Sequence, residues 1–372
     1  MKLNDLSRQY LRLKKEIDKA LQDVFKKADF INGEPVKTFC DRLASFVDVP
    51  FVIPCANGSD ALRIALQALG IGPGSDVIVP AFTYIAPLEA VASVGASPIV
   101  VDVDPRTFNI HPHLLEQAMT AQTKAIIVVH LFGQSANMEA IQKIADKYKL
   151  VIIEDNAQSL GSIYSYSDGS QKKAGTIGKI GITSFFPTKP LGCYGDSGAM
   201  FTSDEDLAEK LRLLANHGQT KKYCHKMIGY NSRLDTVQAA ILNVKLNHLQ
   251  EFTDRVRQLA QQYDAALGKY PELILPEKSP YSTHVYHQYT IQVKNGQRDA
   301  LKSFLTENGI PSMIYYPLPI FEQEAYKWVA RLSGSLSESI RLCSEVLSLP
   351  INTELTDPEQ SLIIESIAHF FN

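Results

Sequence analysis

Apolar residues recur at helical spacing from Leu6 to Phe25, at Tyr10, Leu13, Ile17, Leu21 and Val24, which predicts an amphipathic N-terminal helix. A second helix is expected after Pro35, with Val36, Phe39, Leu43 and Phe46 on one face. The pattern then changes. Short apolar runs appear at Phe51–Cys55, Val77–Pro80, Ile99–Val103, Ala125–His130 and Val151–Asp155, separated by helical stretches, the last of them Met138–Tyr148. Several of these runs lack polar alternation, as strands buried on both faces of a parallel sheet do. Residues from about 50 to 200 therefore read as a doubly wound α/β core, with further strands in the glycine-rich region near its end. From Thr236 to about Leu267 there is neither Gly nor Pro, and a long helix is expected to lead into a second domain. That domain is read as a strand (287–293), a helix (298–308), a strand (310–315) and helices near 335–345 and 358–371. The division is 1–250, a large domain with the N-terminal helix, and 251–372, a small C-terminal domain.

The stretch Thr183-Ser-Phe-Phe-Pro-Thr-Lys-Pro-Leu-Gly-Cys-Tyr-Gly-Asp-Ser-Gly198 stands apart. Lys189 lies between Pro187 and Pro190, which fix φ and stiffen the backbone on either side of it. Such a mount suits a lysine that must meet a carbonyl from one direction, and an exposed loop lysine is the alternative. In Gly58-Ser59-Asp60 a turn enters a helix, where free N–H groups and the dipole favour a phosphate, although a simple cap fits as well. Asp155 closes a strand and can hold a protonated ring nitrogen. Gln158 can reach an oxygen on the same ring, and Tyr84 can stack on its face. Taken together, a lysine able to form a Schiff base, a carboxylate and a phosphate cup are what pyridoxal 5'-phosphate (PLP) asks of a protein. Asn231 and Arg233, in Gly229-Tyr-Asn-Ser-Arg-Leu-Asp235, read either as a helix start or as anion contacts to a neighbouring subunit's site. His130 and His217 receive no catalytic role. Gly70-Ile-Gly-Pro-Gly74 follows a helix instead of a strand, so it is not a dinucleotide loop.

Composition narrows the rest. The chain has 372 residues, 45% hydrophobic and 21% charged, with a net charge of −3, so no broad basic surface for nucleic acid is expected. Its five cysteines include no C-x-x-C pair and read as free thiols, with no metal site. No run approaches the roughly 18 apolar residues of a membrane span, and no leader pattern opens the chain, so a cytoplasmic location is expected.

Ala56-Asn-Gly-Ser-Asp-Ala-Leu, Pro80-Ala-Phe-Thr-Tyr, Glu154-Asp-Asn-Ala-Gln-Ser, Ser184-Phe-Phe-Pro-Thr-Lys-Pro-Leu-Gly and Gly229-Tyr-Asn-Ser-Arg-Leu-Asp resemble the DegT/StrS family of PLP-dependent nucleotide-sugar aminotransferases over nearly the whole chain. The resemblance implies PLP fold type I (aspartate aminotransferase-like): a large domain with a mostly parallel mixed sheet and a smaller C-terminal α/β domain. It implies that Lys189 binds the cofactor covalently and shuttles a proton. Asp155 would pair with the ring nitrogen, Gln158 would bond the ring hydroxyl and Tyr84 would stack. Gly58, Ser59 and Ser184 would hold the phosphate, joined by Asn231 from the second subunit of a homodimer with shared active sites. Thr83, Arg233 and Tyr315 would meet the substrate. Family members with His in place of the lysine are dehydratases, so Lys189 favours transamination. Tyr315 departs from the His common at that place.

The wording Phe-Phe-Pro-Thr-Lys-Pro-Leu-Gly-Cys-Tyr-Gly-Asp-Ser-Gly-Ala is most similar to enzymes that use glutamate to aminate C3 of UDP-2-acetamido-2-deoxy-3-oxo-glucuronic acid, in making amino sugars for O-antigen-type surface polysaccharide. The alternative is C4 amination of a UDP- or dTDP-4-keto-6-deoxy sugar.

Overall fold

The computed structural model describes residues 1–372. Helices α1 (Leu6–Lys27) and α2 (Glu34–Val47) precede strand β1 (Phe51–Cys55). There follow α3 (Gly58–Ala68), β2 (Asp76–Pro80), α4 (Ala86–Ser93), β3 (Ser97–Val101), the short α5 (Pro112–Leu115), β4 (Thr123–Val129), α6 (Met138–Tyr148) and β5 (Val151–Asp155). A hairpin of β6 (Ile163–Ser165) and β7 (Gln171–Lys173) leads to β8 (Ile180–Ser184), β9 (Gly198–Thr202) and α7 (Glu205–Ala215). A second hairpin, β10 (Gln219–Lys221) and β11 (Cys224–His225), precedes the long α8 (Thr236–Leu267). The chain ends with β12 (Leu273–Ile274), β13 (Tyr289–Val293), α9 (Arg298–Glu307), β14 (Arg331–Ser333), α10 (Ser337–Glu345), β15 (Val346–Leu349) and α11 (Asp357–Phe371).

The main sheet has eight strands in the order β1-β9-β8-β5-β4-β2-β3-β14. All neighbours pair in parallel except where β9 meets β8 and β1. This is the mostly parallel mixed sheet expected of fold type I. Its inner strands are buried on both faces. Val77 and Val79 pack with Leu62, Leu66 and Val91 of α3 and α4. Ile78 points the other way, into a core with Ile126 of β4 and with Met138 and Ile141 of α6. Alternate residues of one strand thus serve two helical layers, and this is why the runs carry no polar alternation.

α8 is one unbroken helix. Its first half (Ala239, Leu242, Leu249) packs with Phe39 and Leu43 of α2 and with Phe185 and Phe201. Its second half (Val256, Leu259, Tyr263, Leu267) belongs to a separate core with Tyr289, Leu301, Leu347 and Ile363. We propose the change of partners between Leu249 and Val256 as the domain boundary.

Two features of the C-terminal part differ from the sequence expectation. Residues 310–315 do not form a strand. They make a single bridge, with backbone bonds both ways between Met313 and Ser348. Pro311 removes a ladder donor inside that run. The third place in the small sheet β12-β13-β15 goes instead to Val346–Leu349, which starts directly where α10 ends. The other feature is β14, which returns to the large sheet and pairs in parallel with β3. Arg331 clamps both carboxylate oxygens of Asp76 at 3.0 and 2.9 Å, and Asp102 accepts from the Glu338 and Ser339 N–H groups at the start of α10.

Candidate active site

The carboxyl ends of β1, β2, β4, β5 and β8 lie along one edge of the sheet, where ligands of open α/β folds bind. That edge gathers the candidate residues.

β1 ends at Cys55, and Asn57 caps α3 by accepting from the Asp60 N–H at 2.8 Å. The N–H groups of Gly58 and Ser59, in the first turn, have no intrahelical partner, which is what an anion site needs. Ser184 closes this cradle. A Cβ on Gly58 would lie 3.0 Å from the Ser184 Cβ, so only glycine leaves the space open. Gly58→Val is expected to leave the fold intact and to weaken cofactor binding by about tenfold or more, read by titrating the apoprotein with PLP. An unchanged Kd would remove the cradle from the site.

Asp155 is only 7% exposed. One of its oxygens accepts from the Ala157 N–H at 3.0 Å. Burial raises its pKa, opposed by that bond and by the charge of Lys189. Gln158 accepts from the Phe132 N–H at 2.8 Å, which orients its amide so that Nε2 donates to the Tyr316 hydroxyl at 3.1 Å. Tyr316 in turn packs against Phe82 and Tyr84, with centroids 5.9 and 6.3 Å away. Tyr84 keeps 57% of its surface exposed, so its ring is available for stacking. Thr83 is buried beside it.

Lys189 is half-buried in the loop after β8. Its amine is affected by burial and by the Asp155 charge, and by no hydrogen bond. Burial dominates and brings its pKa down to about 8. The amine is therefore largely available in neutral form at mildly alkaline pH, as a nucleophile requires. The turn itself is tight. Lys189 N–H donates to the Phe186 carbonyl at 2.8 Å, and Cys193 N–H to that of Phe185 at 2.8 Å.

The sequence left three things unresolved here. Gly192 and Gly198 carry no mark of their role in the sequence, and both serve close backbone contact. A Cβ on Gly192 would meet the Pro187 carbonyl at 2.3 Å, and one on Gly198 would meet Asn57 at 2.7 Å. Of the two adjacent tyrosines, Tyr316 bonds Gln158, whereas Tyr315 packs part-buried on the core beside it. His287 is a site neighbour that the sequence does not single out. It lines a groove with Thr188 and Lys189, and burial together with the Lys189 charge holds its pKa well below the usual value. A polar residue at the start of the strand 287–293 was the only signal for it.

Asn231 is exposed and Arg233 half-exposed, on a segment tied to the cradle by the Ala56 N–H, which donates to Ser232 Oγ at 3.0 Å. The Arg63 guanidinium of α3 stacks on Tyr230 of that segment, 4.2 Å from its ring centre.

His130 is structural. Ala136 N–H donates to its Nδ1 at 3.2 Å, so Nε2–H donates to Glu154 at 2.8 Å. The fully buried Glu154 also accepts from the backbone N–H groups of Gly175, Ile177 and Gly178. Glu154→Ala is expected to cost about 3–5 kcal/mol, measured by denaturant unfolding, because it strands four donors at once.

The DegT/DnrJ/EryC1/StrS aminotransferase family matches residues 11–368. The chain belongs to this family. It is 45% identical to a pleiotropic regulatory protein of Geobacillus stearothermophilus, over 99% of this chain and 97% of that one. It is 43% identical to the UDP-2-acetamido-2-deoxy-3-oxo-D-glucuronate aminotransferase of Pseudomonas aeruginosa, over 98% and 99%. The dTDP-3-amino-3,6-dideoxy-alpha-D-galactopyranose transaminase of Aneurinibacillus thermoaerophilus is 41% identical, over 98% of each chain. A DegT/DnrJ/EryC1/StrS aminotransferase structure from Brucella abortus superposes with a TM-score of 0.95 at 41% identity, covering both chains fully. The chain is thus a PLP-dependent sugar aminotransferase. The aminotransferase site fits that cofactor: an open cradle at Gly58 and Ser184 for phosphate, a buried carboxylate at Asp155 for the ring nitrogen, and an unpaired amine at Lys189 for the aldehyde. No helix is long and apolar enough to cross a membrane, and no cluster of metal-ligating side chains occurs.

Proposed function

We propose that the aminotransferase moves an amino group from L-glutamate to C3 of a UDP-linked 2-acetamido-2-deoxy-3-oxo sugar, with the glucuronic acid form as the leading candidate. The product would serve an O-antigen-type surface polysaccharide. The observation that carries the reading is the meeting of an unpaired Lys189 amine, a buried Asp155 and the Gly58–Ser184 cradle on one sheet edge. The identity to the Pseudomonas aeruginosa enzyme supports the choice of sugar.

In this reading PLP, when bound, supplies the electron sink and carries the amino group between the two half-reactions. Lys189 would hold the cofactor through its amine and would move the proton at the amino-acid α-carbon. Asp155 would keep the ring nitrogen protonated. Gln158, held by Phe132, would bond the ring hydroxyl, and Tyr84 would stack on the ring. Gly58, Ser59 and Ser184 would hold the phosphate. Asn231 would reach that phosphate from the partner of a homodimer, and Arg233 would meet the substrate's acidic groups. The exposure of both residues on a segment anchored to the cradle supports this. Thr83 and Tyr315 would contact sugar. The expected location is the cytoplasm.

One observation favours an uncharged sugar, as in the second reading, C4 amination of a UDP- or dTDP-4-keto-6-deoxy sugar. A cleft of about 450 Å³ beside Tyr316 is lined by Thr83, Tyr84, Gln323, Glu324 and Tyr326 among others, with no cationic side chain. Such a lining suits a neutral sugar better than a uronate. The test is to offer the PLP-loaded protein UDP- and dTDP-linked 3-oxo and 4-oxo sugars with glutamate, and to identify products by mass and NMR. Amination confined to C4 would overturn the leading reading, and amination of none would overturn both.

A further inference from the structure

Lys245 is 1% exposed, in the first half of α8, and the chemistry above does not use it. A lysine buried this deeply is costly unless its charge is compensated. No carboxylate acts on it, and burial brings its pKa down to about 8. Its partners are of another kind. Nζ donates to the Gly192 carbonyl at 2.7 Å and sits over the Tyr194 ring, 4.4 Å from its centre. Two turns earlier on the same helix, Gln238 Oε1 accepts from the Tyr194 N–H at 2.8 Å. α8 therefore grips residues 192–194 through a charged donor, a ring face and an amide.

Those residues form the return arm of the turn that carries Lys189. Gly192 presses its backbone on the Pro187 carbonyl, and Cys193 closes the turn through its bond to Phe185. The outgoing arm is stiffened by Pro187 and Pro190. A side chain needed only to fill space here would be Met or Leu, which incur no desolvation cost. The cation gives what those cannot, a charge-assisted hydrogen bond to one chosen carbonyl.

We propose that Lys245 is a positioning residue for Lys189: by holding the Gly192 carbonyl it fixes the turn that sets the direction and reach of the Lys189 amine. The proposal rests on Lys189 being the lysine that captures PLP. Errors of about 1 Å in such reach lower rates by up to about a hundredfold.

The test uses the full-length protein stripped of cofactor and then mixed with PLP. Covalent capture is followed by absorbance, then fixed with borohydride and mapped by peptide mass. In the wild type the adduct is expected on the peptide containing Lys189. An adduct elsewhere would overturn the reading of the site, and the proposal with it. Lys245→Met is expected to slow capture by about tenfold or more, with far-ultraviolet dichroism unchanged. Lys245→Arg, which keeps the charge and a donor, is expected to recover most of the rate. Capture by Lys245→Met at the wild-type rate, with the adduct on Lys189, would overturn the proposal alone. If the Met variant does not fold, Lys245→Gln is read the same way, since it keeps a donor but loses charge and reach. An Arg variant as slow as the Met or Gln variant would also overturn the proposal, because it would trace the defect to packing.

Discussion

Lys189→Ala is expected to abolish transamination, by more than about a thousandfold, and to leave no borohydride-fixable PLP on the protein. The argument is geometric first. Lys189 lies near enough to Asp155 for each to feel the other's charge, and no hydrogen bond competes for its amine. The loss should not come through unfolding. Folding lowers the Lys189 pKa from 10.5 to about 8, so the native state binds its proton less tightly than the unfolded chain. This penalty is fully present below pH 8 and fades as pH rises from about 8 towards 10.5. Alanine removes it, and the variant's apoprotein should be at least as stable as wild type near neutrality. The same shift sets the pH dependence of capture. Below pH 8 the rate should rise about tenfold per unit as the neutral amine becomes available, then level off. Retained turnover or a retained adduct in the variant would refute the assignment, as would a capture rate flat from pH 6 to 9.

Asp155→Ala carries the second large effect. An opposite charge about 4 Å from a protonated ring nitrogen is worth roughly 4 kcal/mol at an effective dielectric of ~20, before desolvation costs. Losing it corresponds to about a thousandfold in rate. The structural cost is small by comparison, since the carboxylate makes a single hydrogen bond, with the Ala157 N–H. Its pKa is raised by burial, so the charged form is held in place at a cost to folding at neutral pH. Rate and stability should therefore separate: a rate near zero with an unfolding midpoint close to wild type. A variant of wild-type rate would exclude Asp155 from the mechanism.

Much of this architecture was legible in the sequence because the signals were local. The limits of α8 follow from the absence of Gly and Pro between Thr236 and Leu267, and the inner strands from unbroken apolar runs. Asp155 and Lys189 stand out as candidates because strand ends and proline-framed turns leave marks. What remained hidden depends on long-range pairing. β14 has only three residues, and nothing in Arg-Leu-Ser announces that β3 will accept them. Val346–Leu349 follows a helix without a turn residue, so nothing marks it off as a strand of its own. Tyr315 and Tyr316 are chemically identical neighbours, and only the path of the backbone decides which hydroxyl reaches Gln158. Lys245 lies on a helix whose polar positions all resemble solvent-facing ones, and its burial appears only once Gly192 is placed against it.

The return of β14 to the large sheet has a consequence for biosynthesis. While the chain is still on the ribosome, β3 is the outermost strand, with Ile99, Val100 and Val101 along an unpaired edge. That edge stays open until residue 333 has emerged, long after the rest of the sheet can form. Messages truncated before this point should yield chains with an intact cofactor cradle and an adhesive flank. Such fragments are expected in inclusion bodies, whereas a chain shortened only within α11 would have its flank already covered.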